Sequence, residues 1–297
     1  MFLPKRWQAF LSLFLIAAVF AVSGCDRIKQ RFEEVRKETN QSQSGETSDP
    51  SSVPDINSVH LAFGNPSNAA NSDVNNYLIV GEGSVISYNN SRGTANWISW
   101  KTTANDLGER LERPDFRPDT RLPSRSVTIN YYDYSSSGYD RGHLVPSADR
   151  FANPKLNEET FMMTNIVPQT AALNQYPWNK LESYARGQAR KGFDVYQIAG
   201  VYGTKDRLKG KVTVPESCWK IIALVPKGKS VYDLDRRMRI IAVDMPNVDG
   251  IENKKWETYK TTIRNIEQKT GFDMFSDLPK ETQDRLETKM EIISTSR

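Results

Sequence analysis

SSSGYDRGHLVPSADR, residues 135–150, sets an acid, a guanidinium, a glycine and an imidazole in four consecutive positions, Asp140-Arg141-Gly142-His143. Glycine in that group allows close backbone approach. Downstream, TNIVPQTAALNQYPWNKLE (164–182) carries Asn174, Gln175 and Glu182. Helical periodicity predicts a helix over 173–192, ending in Gly192 as a helix stop should. On a regular helix Asn174 and Glu182 lie about 80° apart around the axis and about 12 Å along it. Both side chains can then look into one cleft, Glu182 at water-bridging range.

That residue set suits phosphodiester hydrolysis. The reaction needs an activated water, neutralisation of phosphoryl charge and stabilisation of the leaving oxygen. Histidine is the side chain best suited to take a proton near neutral pH, so activity is expected to fall as the pH drops through the imidazole pKa, about 6.5 unless shifted. Arginine answers phosphoryl charge bidentately. A hard divalent cation with few protein ligands can stabilise the leaving oxygen. An asparagine carbonyl is an acceptable oxygen ligand for it, and a nearby glutamate can hold its waters.

Asp140-Arg141-Gly142-His143, then Asn174-Gln175 and Leu181-Glu182, resembles the DNA/RNA non-specific endonucleases, sugar-non-specific nucleases with a ββα-metal (His-Me finger) active site. SYNNSRGTANWISWK (87–101), FRPDTRLP (116–123) and GKVTVPESCWKI (210–221) are similar to cyanobacterial members in particular, and the resemblance covers about residues 58–290. It implies His143 as the general base and Asn174 as the sole direct protein ligand of a Mg²⁺ or Mn²⁺ ion. It implies that Glu182 holds metal-bound waters, that Arg141 supports the phosphate charge, and that Asp140 orients the loop. It also implies a phosphate-stabilising arginine upstream of an aromatic. In GERLERPDFRPD (108–119) that is Arg113, with Arg110 and Arg117 as alternatives. DNA and RNA are the implied substrates, single- and double-stranded, with 5′-phosphate products.

Outside the motif, runs rich in Val, Ile, Tyr and Trp predict strands at 76–80, 84–89, 96–101, 126–132, 161–165, 194–200, 218–225 and 239–246. Helical periodicity recurs at 256–271 and 279–293. Adjacent strands followed by a few helices argue for an α+β fold, a mainly antiparallel sheet flanked by helices. No Gly-rich nucleotide-binding loop, helix–turn–helix or zinc finger is present. The basic clusters KDRLKGK (205–211) and DRRMR (235–239) could follow a phosphate backbone or be solvated turns.

The chain has 297 residues, 40 Lys plus Arg against 36 Asp plus Glu, and only two His and two Cys. Two cysteines exclude a four-cysteine zinc or iron–sulfur site, and two histidines exclude a three-histidine metal cage. His60 matches no catalytic pattern and reads as structural. Residues 1–24 read as a signal peptide: Lys5 and Arg6 precede an uncharged run from Trp7 to Val22, and Val22-Ser-Gly-Cys25 resembles a lipobox. Lipid attachment at Cys25 is therefore expected, with the chain exported and membrane-anchored, or secreted. Residues 25–57 read as a flexible tether and 58–297 as one endonuclease domain. Cys218, in an apolar run, reads as a packed thiol. A protein inhibitor is a further expected partner of such an activity. The contrasting expectation is a membrane-tethered lipoprotein that binds nucleic acid without cutting it.

Overall fold

A computed structural model describes residues 58–233 and 239–290, all within one compact unit, Val53–Arg297. The signal peptide, Cys25 and the tether lie outside the described residues, as does DRRMR apart from Arg239.

The first strands are β1 (Tyr77–Val80), β2 (Val85–Asn89), β3 (Thr94–Thr102), β4 (Asp140–His143) and β5 (Ile166–Gln169). There follow β6 (Phe193–Tyr202), β7 (Asp206–Leu208), β8 (Val212–Val214), β9 (Ser217–Pro226), β10 (Arg239–Pro246) and β11 (Lys260–Thr261). Seven form one antiparallel sheet in the order β1-β2-β3-β6-β9-β10-β11. Among the described residues, the α-helices longer than one turn are α1 (Pro154–Glu159), α2 (Asn179–Arg190), α3 (Ile263–Thr270) and α4 (Lys280–Glu287). The α+β expectation agrees with this architecture.

Strand β9 shows how the sheet is covered. It is buried from Ser217 to Val225, hence its nearly unbroken apolar sequence. Side chains alternate between faces with a period of two. Cys218, Ile222 and Leu224 join one core with Trp178, Leu181, Ala185 and Ala189 of the α2 region. Trp219, Ile221, Ala223 and Val225 join a second core with Ile263, Ile266, Phe275 and Leu278. Fully burying each larger apolar side chain contributes about 1.5–3 kcal/mol. The same alternation sends Lys220 toward α2, buried among those apolar neighbours. Burial also pushes the Cys218 thiol up to about 12, consistent with an inert packed thiol.

Two expected strands differ. Residues 126–132 do not pair as a strand. Asn130 instead caps a 3₁₀ turn, Tyr131–Tyr134, with Asp133 bonding back to the Asn130 amide. Residues 161–165 make one bridge, Arg117 to Met162, before a 3₁₀ turn, and pairing starts at Ile166. Here Thr164 donates to Asp119, and Asn165 bonds both backbone groups of Val145, so polar side chains compete with a ladder. The helix expected over 256–271 begins only at Ile263, where Thr262 caps it, because Lys260 and Thr261 pair with β10. It ends as expected at Gly271, whose φ of 76° favours glycine. α4 occupies the first part of the helix expected over 279–293, and residues 291–297 lie outside the described residues.

Candidate active site

β4 and β5 form a separate antiparallel pair in which Asp140 faces Gln169 and His143 faces Ile166. The chain then turns through Ala171–Leu173 and a π turn, Asn174–Trp178, into α2. Two strands and a helix thus build a ββα motif. Gly142 is required by close approach: a Cβ there would lie 2.0 Å from Gln169 Oε1, a side chain that is itself buried.

The π turn alters the helix geometry predicted by regular periodicity. It contains Pro177, which has no amide hydrogen to donate. A π turn inserts one extra residue, so Asn174 and Glu182 become equivalent to seven α-helical steps, about 20° apart rather than about 80°. The irregularity aligns the two side chains more closely than a regular helix would.

His143 is half-buried and packed by rings. Its centroid lies 5.6 Å from Phe116 and 4.9 Å from Phe161. Its Nε2 is fully covered and has no hydrogen-bond partner among the described residues. Burial, reinforced by the Arg113 charge, pushes the imidazole down to about 3. The Arg113 guanidinium sits 5.3 Å from the Phe116 ring centre and 5.5 Å from that of Phe161. Arg117 instead pairs with Glu158 at 3.2 Å, and Arg110 is exposed. Of the three arginines, Arg113 is the one packed against the rings that hold His143.

Asp140 accepts from both Asn174 Nδ2 and Gln175 Nε2, each at 2.9 Å. Since a carboxylate takes only donors, the first bond fixes the Asn174 amide and leaves its carbonyl oxygen as a hard ligand atom. That donor suits a divalent cation that keeps most of its waters. Arg141 reaches the Tyr131 carbonyl at 3.5 Å, while its buried Nε has no partner among the described residues.

Glu182 is held from behind. Lys220 Nζ lies 3.7 Å from Glu182 Oε1 and 3.4 Å from the Leu144 carbonyl oxygen. The Trp178 indole donates to the His143 carbonyl oxygen at 3.3 Å and also bonds Glu182. Burial raises the Glu182 carboxyl to about 7, opposed by Lys220 and Arg186, while burial lowers the Lys220 ammonium. Arg186 in turn pairs with buried Asp149 at 3.2 Å. Lys220, Asp149 and Trp178 were not singled out by sequence pattern. The available signal was a lysine inside CWKIIALV, on the same strand face as Cys218 and Ile222.

His60 is distinct. The Lys101 amide donates to its Nδ1 at 3.0 Å, so Nε2 carries the proton and donates to the Glu82 carbonyl oxygen at 2.8 Å. Burial lowers its pKa too. Both imidazoles therefore stay neutral in the folded protein, whereas the unfolded chain binds protons below about 6.5. Their stability contribution is complete above that pH and is lost as the pH falls toward the folded pKa values. Ring-proton NMR from about pH 8 to about pH 5 should find both imidazoles neutral. A folded-state ring titrating near 6.5 would contradict this electrostatic account.

The chain is 42% identical over 238 residues to a nuclease of Nostoc sp., covering 79% of this chain and 86% of that protein. It is 32% identical to nuclease C1 of Cunninghamella echinulata var. echinulata, covering 73% and 88% of the two chains. The fold is similar to that in the crystal structure of an EndoG/EndoGI complex, with a TM-score of 0.63 at 22% identity over 75% of this chain and 92% of that one. The model of one family matches residues 63–281. With its ββα motif, the chain belongs to the DNA/RNA non-specific endonuclease family.

Proposed function

We propose that this protein hydrolyses phosphodiester bonds in DNA and RNA, single- and double-stranded, with His143 as general base and Asn174 as the direct ligand of Mg²⁺ or Mn²⁺. The observation that carries the reading is the Asp140–Asn174 hydrogen bond, which orients a carbonyl ligand from the strand that bears His143. In the reaction, His143 takes a proton from water as the water oxygen bonds to phosphorus. The bond from phosphorus to the 3′ oxygen breaks and that oxygen takes a proton from water, leaving a 3′-hydroxyl and a 5′-phosphate. Arg113, with Arg141, faces the phosphoryl oxygens, and Asp140 keeps the Asn174 amide turned. A bound divalent cation supplies positive charge for the leaving oxygen, with Glu182 holding its waters. Burial keeps His143 in the neutral form that a general base needs at physiological pH, while lowering its basicity.

Export and a lipid anchor on Cys25 belong to the same reading, as does control by an inhibitor protein. The structurally similar EndoG was crystallised in an inhibitory complex with EndoGI.

Asn174→Ala is the direct test of ligation. Plasmid cleavage should require at least about tenfold more Mg²⁺ than wild type, an effect of the size seen when metal-site shells are altered. Unchanged activity across the Mg²⁺ titration would count against Asn174 as the ligand.

A further inference from the structure

We propose that Tyr131 and Tyr132 form a base-stacking platform for single-stranded nucleic acid beside the His143 site. This inference rests on the nucleolytic reading above and names a substrate contact which that reading leaves open. A column of rings and a cation leads outward from the imidazole. Phe116 lies 5.6 Å from His143. The Arg141 guanidinium lies 5.5 Å from the Phe116 ring centre and 5.7 Å from that of Tyr131. Tyr131 and Tyr132 then pack with centroids 3.8 Å apart and planes 33° apart. The column reaches solvent at Tyr132, which is 60% exposed, while Tyr131 is 38% exposed.

The pair is held in place rather than loose. Asn130 caps its turn, and buried Tyr134 anchors the end, donating to the Ile166 carbonyl oxygen at 3.2 Å. The KDRLKGK segment contributes the β7–β8 hairpin. At its turn, Lys209 has a φ of 45° and donates from Nζ to the Tyr132 carbonyl oxygen. Lys211 pairs with Asp133 at 3.2 Å, and Asp115 is a further acid whose charge reaches Tyr131.

Ligand class follows from the exposed Tyr132 ring at the end of a column that contains a cation. Unpaired bases present π faces that can stack on an aromatic ring, whereas bases in a duplex already stack on one another. Arg141 and Lys209 can meet the adjoining phosphates. The platform would therefore favour single strands over duplex on the approach to the His143 site.

The test is fluorescence anisotropy in EDTA, using a labelled single-stranded oligonucleotide and a labelled hairpin duplex. For Tyr132→Ala, the preference for single strand, read as the ratio of the two Kd values, should fall about five- to a hundredfold. Tyr132→Phe should keep the wild-type ratio, because the ring and not the hydroxyl is required. An unchanged ratio in Tyr132→Ala, or a Phe variant as poor as Ala, overturns the platform. Cleavage of both strand forms by wild type with a Tyr132-independent ratio removes the platform alone. A Tyr132-dependent ratio in a wild type that cuts neither form with Mg²⁺ supports the platform and removes the nucleolytic reading.

Discussion

A His143→Ala protein should remain folded yet cut plasmid DNA about 10²- to 10⁴-fold more slowly than wild type. The size of the loss follows from removing the proton acceptor. His60 cannot substitute, since both its ring nitrogens are engaged, by the Lys101 amide and the Glu82 carbonyl. The fold should persist because β4 pairs with β5 through backbone groups that alanine retains. The truncated ring leaves space between Phe116 and Phe161, at a stability cost of about 1–3 kcal/mol. Initial cleavage rates and a thermal melt on the same sample separate the effects. A variant as fast as wild type would remove His143 from the mechanism.

The largest stability effect should come from Asp149→Ala. Its buried carboxylate accepts from Trp100 at 3.0 Å, Thr102 at 3.0 Å, Gln197 at 3.1 Å and Arg186 at 3.2 Å. These partners come from β3, β6 and α2, so one side chain ties the helix carrying Glu182 to the sheet. Alanine would leave four donors without that acceptor, one of them a largely buried guanidinium. Losing one member of such a buried pair costs about 3–5 kcal/mol. At about 2–4 °C per kcal/mol for a domain of this size, Tm should drop by roughly 6–20 °C. Activity below the melt should fall as well, because Arg186 and Lys220 lose a shared electrostatic partner next to Glu182. An Asp149→Ala melt within about 1 °C of wild type would show that the network does not hold α2.

Residue chemistry alone makes part of the site legible in the sequence. Asp140, Arg141, His143, Asn174 and Glu182 are polar groups whose order and spacing speak without tertiary information. The sheet was legible at β9 and β10 because burial of strands demands apolar side chains. β4 was not legible as a strand, since Asp-Arg-Gly-His has little strand propensity and extends only because β5 pairs with it. Regular periodicity likewise missed the π turn, where a proline interrupts the helical hydrogen-bond pattern. Lys220 was hidden because its meaning comes from the residue across the packing layer, Glu182, 38 positions earlier in the chain.

Metal-dependent phosphodiester cleavage at the site of His143 and Asn174 is best assayed on a substrate without strand ends. Covalently closed circular single-stranded DNA offers the most direct measurement, because it has no ends and one internal cut linearises it. With Mg²⁺ and wild-type protein, the circle should be converted to linear and shorter products. EDTA should stop the reaction and excess Mg²⁺ should restore it. A retarded complex containing intact circles, with no cleavage at any Mg²⁺ concentration, would contradict the account and identify a binding protein instead.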